Sequence, residues 1–109
     1  MEPTPEQAIA GALDRLWKQF LPDIEQRVAR LDAANEALAA GKLSDDQRVA
    51  ANSAAHKLAG TLGTFGLTKG TILAREAELL YSGGETDPAA LRQLQEITEE
   101  LKALIASRK

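Results

Sequence analysis

Apolar residues recur along this chain at spacings of three and four, the period of a helix face rather than the alternation of a strand. Ile9, Leu13, Leu16 and Phe20 make the first stripe, with Trp17 at its edge in core or rim packing. Thr4-Pro5-Glu6-Gln7 opens it, with Thr4 as cap, Pro5 in the first helical position and Gln7 closing a capping box. Leu21 precedes Pro22 and is pushed out of the helical region, so a break or kink is expected there. It separates a helix over 5–20 from a second over 22–40, striped by Ile24, Val28, Leu31 and Leu38 and ended by Gly41. Asn35 falls on that stripe, either as a buried polar contact or at its edge.

Ser44-Asp45-Asp46-Gln47 is a second capping box, whose acids suit the positive end of the helix dipole. It opens a helix over 45–65. Gly66 sits where this helix should stop, in the left-handed conformation, and the tight Gly66-Leu67 link turns the chain back antiparallel. The next helix, 69–82, takes Thr68 as cap and Ile72, Leu73, Ala77, Leu79 and Leu80 as apolar face. Arg75, Glu76 and Glu78 are expected to be solvated, with Lys69 and Arg75 as candidates for a partner surface. Ser82-Gly83-Gly84 reads as a loop. Asp87 and Pro88 restart a helix over 88–106, striped by Leu91, Leu94, Ile97, Leu101 and Leu104, and Ser107-Arg108-Lys109 is expected to fray. The fold class is all-α: an antiparallel up-down-up-down four-helix bundle with an additional N-terminal helix, in one domain over 1–109.

Composition agrees. Twenty alanines and sixteen leucines make about a third of the 109 residues, and aromatics are limited to Trp17, Phe20, Phe65 and Tyr81. The net charge of −3 and the absence of a basic run argue against nucleic acid as a partner. No apolar run approaches the roughly 20 residues that span a bilayer, and the first residues lack the apolar core of a signal peptide. Cysteine is absent, which removes disulfides and thiolate chemistry. A cytoplasmic location is expected.

Candidate chemistry centres on His56, the only histidine. On a wheel stepping about 100° per residue, Ala51, Ala54, Ala55, Leu58, Leu62 and Phe65 fill an arc opposite His56. Asn52, Ala59, Gly60 and Gly63 fall near the histidine, with Ser53 beside them. His56 should therefore be exposed. Each glycine inside a helix costs roughly 1 kcal/mol against alanine. Gly60 and Gly63, one and two turns beyond His56, would clear ground beside the imidazole for a bulky partner. Close packing of another helix is the competing use, and the wheel, which turns both away from the apolar arc, argues against it. One histidine and no cysteine make a zinc site implausible, and no phosphate-binding glycine loop or nucleotide fingerprint is present.

His56-Lys57-Leu58-Ala59-Gly60, followed by Phe65-Gly66, resembles the core of the histidine-containing phosphotransfer (HPt) domain family, whose pattern is approximately His-x-Leu-Lys-Gly with a later apolar-Gly pair. The departure is Ala59, where the family often has lysine; here the neighbouring cation is Lys57. The resemblance implies a four-helix bundle and a phosphocarrier without kinase machinery of its own. It implies His56 as the residue that takes a phosphoryl group from a receiver-domain aspartyl phosphate and passes it on. Asn52, Ser53, Lys57, Ala59, Gly60, Gly63 and Thr64 would form the partner-binding rim and phosphoryl environment. The implied partners are response-regulator receiver domains, with a hybrid histidine kinase as a further candidate. No cofactor is intrinsic; Mg²⁺ is expected on the receiver. The rival class is a helical adaptor that binds a signalling partner without phosphotransfer. A stand-alone hydrolase would need more catalytic residues than the one in evidence.

Overall fold

The computed structural model describes residues 2, 4–84 and 87–108. Four helices account for nearly all of them: α1 (Pro5–Ala39), α2 (Asp45–Thr64), α3 (Thr68–Ser82) and α4 (Pro88–Ser107). Each packs on its neighbours in the order α1, α2, α3, α4 and back to α1, enclosing one core.

α1 corrects the expected break. It runs unbroken through Pro22, so residues 5–20 are its N-terminal half and not a separate helix. A proline inside a helix removes one hydrogen bond and costs about 3 kcal/mol. The cost is met by phase: Trp17, Leu21, Ile24, Val28, Leu31, Asn35 and Leu38 step by four and three across the proline, and all but the half-buried Leu21 are buried. Pro22 itself faces solvent.

At 35 residues α1 is about 52 Å long, against about 30 Å for the 20-residue α2 and α4. The other helices end near Trp17, whose ring meets Phe65 edge-on at 5.2 Å and lies 4.7 Å beneath the Arg108 guanidinium. Among the described residues, none of α1 before Trp17 is buried. Ile9, Leu16 and Phe20, expected on an apolar face, are 62%, 41% and 40% exposed. Arg108, expected to fray, is tied down by Trp17, by Phe65 and by Asp14 at 3.5 Å; Lys109 lies outside the described residues.

The caps follow the sequence at three of four helix starts. Thr4 and Ser44 form complete capping boxes, and the Asp87 side chain accepts from Ala90 N–H at 2.7 Å. The exception is α3. Thr68 is its first helical residue and Leu67 its cap, with no side-chain bond. The reason is the turn. Gly66 (φ 76°) allows Gly66 N–H to bond the Gly63 carbonyl and Leu67 N–H the Leu62 carbonyl, so Leu67 closes α2 and opens α3 at once. The α3 stripe also differs: Gly70, Ala74, Ala77 and Tyr81 are buried, while Ile72 and Leu79 are 53% and 71% exposed. Small residues win that face because α3 lies so close to α2 that a Cβ on Gly70 would sit 3.0 Å from Leu62.

Asn35 is the buried polar contact. The Tyr81 hydroxyl donates to its Oδ1 at 2.7 Å, and its Nδ2 donates to Thr98 Oγ1 at 3.1 Å, joining α1, α3 and α4. Burial, assisted by the Asp32 carboxylate, pushes the Tyr81 phenol above its ordinary 10.0. Lys102 is also raised, chiefly by its hydrogen bond to Asp32. Both shifts have the same sign. A raised folded value contributes stability that is complete below the unfolded value and is lost above it. Stability should therefore fall above pH 10, with a Tyr81 slope approaching about 1.4 kcal/mol per pH unit. Urea unfolding between pH 8 and 11.5 checks this, and Tyr81→Phe should flatten the decline. Equal declines in parent and variant would refute the Tyr81 share.

Candidate functional site

α2 carries the site because it presents two different faces. Ala51, Ala54, Ala55, Leu58, Ala59 and Leu62 are buried, and His56 on the opposite side has a side chain 73% exposed. The wheel expectation for His56 holds. Ala59 departs from it. It is only 4% exposed and belongs to the core face, because α3 covers it and the Thr71 hydroxyl donates to its carbonyl at 2.9 Å. It contributes no side chain to a rim.

The main addition from the fold is Glu78. Expected on a solvated face, it accepts from or shares a proton with His56 Nδ1 at 2.8 Å, and its side chain is 28% exposed. The backbone beneath it is held independently, since Asn52 Nδ2 donates to the Glu78 carbonyl at 2.8 Å. Asn52 is thus a clamp between α2 and α3. Arg48 to the Tyr81 carbonyl and Thr71 to the Ala59 carbonyl complete the register. An ionised carboxylate only accepts hydrogen bonds, so the neutral ring carries its proton on Nδ1. Nε2 then holds the free lone pair and has no hydrogen-bond partner among the described residues. The ring is oriented and its outer nitrogen is open to an approaching electrophile.

Gly60 and Gly63 have different reasons. A Cβ at Gly60 would meet nothing within 4 Å, so the fold does not require glycine there. A Cβ at Gly63 would sit 3.1 Å from Thr71 Oγ1, so this glycine serves the close approach of α3, the use the wheel had argued against. Thr64 is exposed, with its hydroxyl turned back on the Gly60 carbonyl at 3.0 Å. Ser53 and Lys57 are exposed. The open ground around the ring is therefore Ser53, Gly60 and Thr64, with Lys57 to one side.

Gly60 gives a two-way test. Gly60→Ala should raise stability by about 0.5–1 kcal/mol, because helix propensity improves at no steric cost. Gly60→Leu should keep the helix content and block a docking partner; unchanged transfer rates in that variant would remove the access argument.

Among the described residues no helix is long and apolar enough to cross a membrane. A family model described as "Hpt domain" matches residues 15–107. Among curated proteins, "Protein RcaC" of Microchaete diplosiphon is 35% identical over 80 residues, covering 73% of this chain and 12% of that protein. The chain therefore spans about an eighth of the length of this relative. No solved structure matches the chain. An exposed, oriented histidine in the second of four packed helices agrees with the family match, and the chain belongs to the Hpt domain family, the histidine phosphotransfer modules of phosphorelays.

Proposed function

We propose that His56 is the phosphoacceptor of this domain. It takes the phosphoryl group from an aspartyl phosphate on a response-regulator receiver domain and passes it to another receiver or back. The Nε2 lone pair attacks phosphorus, the bond from phosphorus to the aspartyl oxygen breaks, and the carboxylate leaves. The new positive charge on the ring is shared through Nδ1–H with Glu78. The observation that carries this reading is the pairing of an exposed His56 with Glu78 at 2.8 Å, beside open ground at Gly60.

Mg²⁺ and the rest of the phosphoryl-binding machinery belong to the receiver in this reading, and the chain brings no kinase of its own. Ser53, Gly60 and Thr64 form the rim against which a receiver docks. Lys57, about 100° round the helix from the ring, reaches the phosphoryl group only from the side. The reading includes an up-down-up-down course in one domain over 1–109, and a cytoplasmic setting in which a hybrid histidine kinase can be the upstream partner. Antiparallel cross-links such as Asn52–Glu78 and Asp32–Lys102 support that course.

The test is transfer of labelled phosphoryl from a panel of phosphorylated receivers in the presence of Mg²⁺. An acid-labile, base-stable label on the chain supports the reading. Binding of receivers without any label would favour the adaptor that does not transfer.

A further inference from the structure

Phosphorylation at Nε2 creates a charge problem that this site does not solve with its nearest neighbour. The incoming group adds roughly two negative charges to a ring whose other nitrogen already faces the Glu78 carboxylate at 2.8 Å. Glu78 balances the positive charge of the ring, but the phosphoryl oxygens on the far side of the ring carry negative charge that only a separate cation can offset. Position 59, on the helix itself, is a buried alanine. Other cations on or facing α2 and α3 are engaged: Arg48 with Asp45 and the Tyr81 carbonyl, Arg27 with the Thr61 hydroxyl, and Lys69 with Glu100.

The register of α2 against α3 singles out one residue. Asn52 meets Glu78 and Ala59 meets Thr71. His56 lies between Asn52 and Ala59, so the residues level with it on α3 are Ala74 and Arg75. Ala74 is buried. Arg75 is exposed and makes no ion pair or hydrogen bond among the described residues. It stands one turn before Glu78, about 4.5 Å along the axis and about 60° round the helix, on the side of Glu78 away from the core. That places Arg75 on the outer side of α3, on the flank toward α2 and level with His56. Lys57 lies on the other flank of His56, away from α3.

We propose that Arg75 is the residue that screens the phosphoryl group carried on His56, so that the acceptor site is shared between two helices. It is a positioning and charge-balancing residue, formed by a forked guanidinium suited to phosphoryl oxygens. This inference rests on the phosphoacceptor reading above.

The discriminating quantity is the equilibrium constant for transfer between a phosphorylated receiver and the chain. It depends on the relative stability of the phosphorylated states and not on how well the two proteins dock. Arg75→Ala should lower the phosphorylated fraction of the chain, shifting the constant by about tenfold at low salt, with a smaller shift at high salt. Arg75→Lys should restore most of it, Lys57→Ala should shift it by less than Arg75→Ala does, and circular dichroism should show intact helices in all three. An unchanged constant in Arg75→Ala overturns the proposal, even if transfer slows, because Arg75 would then only contact the receiver. A shift in Lys57→Ala without one in Arg75→Ala also overturns it. Failure of the parent chain to take label from any receiver overturns the phosphoacceptor reading itself and this inference with it.

Discussion

His56→Gln is expected to take up no phosphoryl label while keeping the helix content and melting temperature of the parent. The chain has a single histidine, so no second imidazole can stand in. Its side chain is 73% exposed, and among the described residues its one side-chain hydrogen bond is to Glu78. Exposed pairs of this kind contribute about 0–1 kcal/mol, so little stability is at stake. All of the chemistry is, because an amide nitrogen has no lone pair available to attack phosphorus. Persistence of the label would place the acceptor elsewhere. Loss of helicity would make His56 a structural residue.

Glu78→Ala is expected to slow phosphoryl acceptance by about ten- to hundredfold with the fold intact. A hydrogen bond to a charged group contributes about 1.5–3 kcal/mol, and each 1.36 kcal/mol on a barrier is a factor of about ten. Without the carboxylate the ring rotates more freely, its proton is no longer held on Nδ1, and the imidazolium formed in the transfer loses its counter-charge. Glu78→Gln separates these effects: its side-chain oxygen can still accept from Nδ1, but the charge is gone, so its rate should fall between parent and alanine variant. The packing of α3 on α2 should survive both changes, since Asn52 bonds the backbone carbonyl of residue 78 and not its side chain. A rate for Glu78→Ala within about twofold of the parent, measured by single-turnover transfer, would show that the pairing is incidental to chemistry.

The two variants probe different depths of legibility. His56 stood out from the residues alone: a lone histidine opposite an apolar arc, with glycines beside it. Glu78 did not, because a wheel compares residues of one helix, and the partner of His56 comes from another. A signal existed. The Gly66-Leu67 turn is short enough to define which residues of α3 face which residues of α2, and counting back through it brings residues 74–78 alongside 52–56. The same omission explains Ala59 and Gly63. Both look free on an isolated α2, but α3 buries Ala59 and brings the Thr71 hydroxyl close to Gly63.

Pro22 teaches the converse. Proline is a local preference, and the local preference was to break the helix. The apolar spacing continues in phase from Trp17 to Leu38, and burying that stripe outweighs one lost hydrogen bond. Ile9 and Leu16 have the same periodicity yet remain exposed, since they lie on α1 before Trp17, where α2 and α4 end.

The sequence by itself determined the helical class, the capping residues Thr4, Ser44 and Asp87, the reversal at Gly66 and the exposure of His56. These depend on neighbours within a few residues, through hydrogen bonds and helical period. Only the tertiary structure decided which apolar stripes find a partner, that Ala59 is core, that α3 packs through Gly70, Ala74 and Ala77, and that Glu78 orients the imidazole. Those outcomes depend on the distance between helices, and that distance is set where small side chains on one helix let another approach.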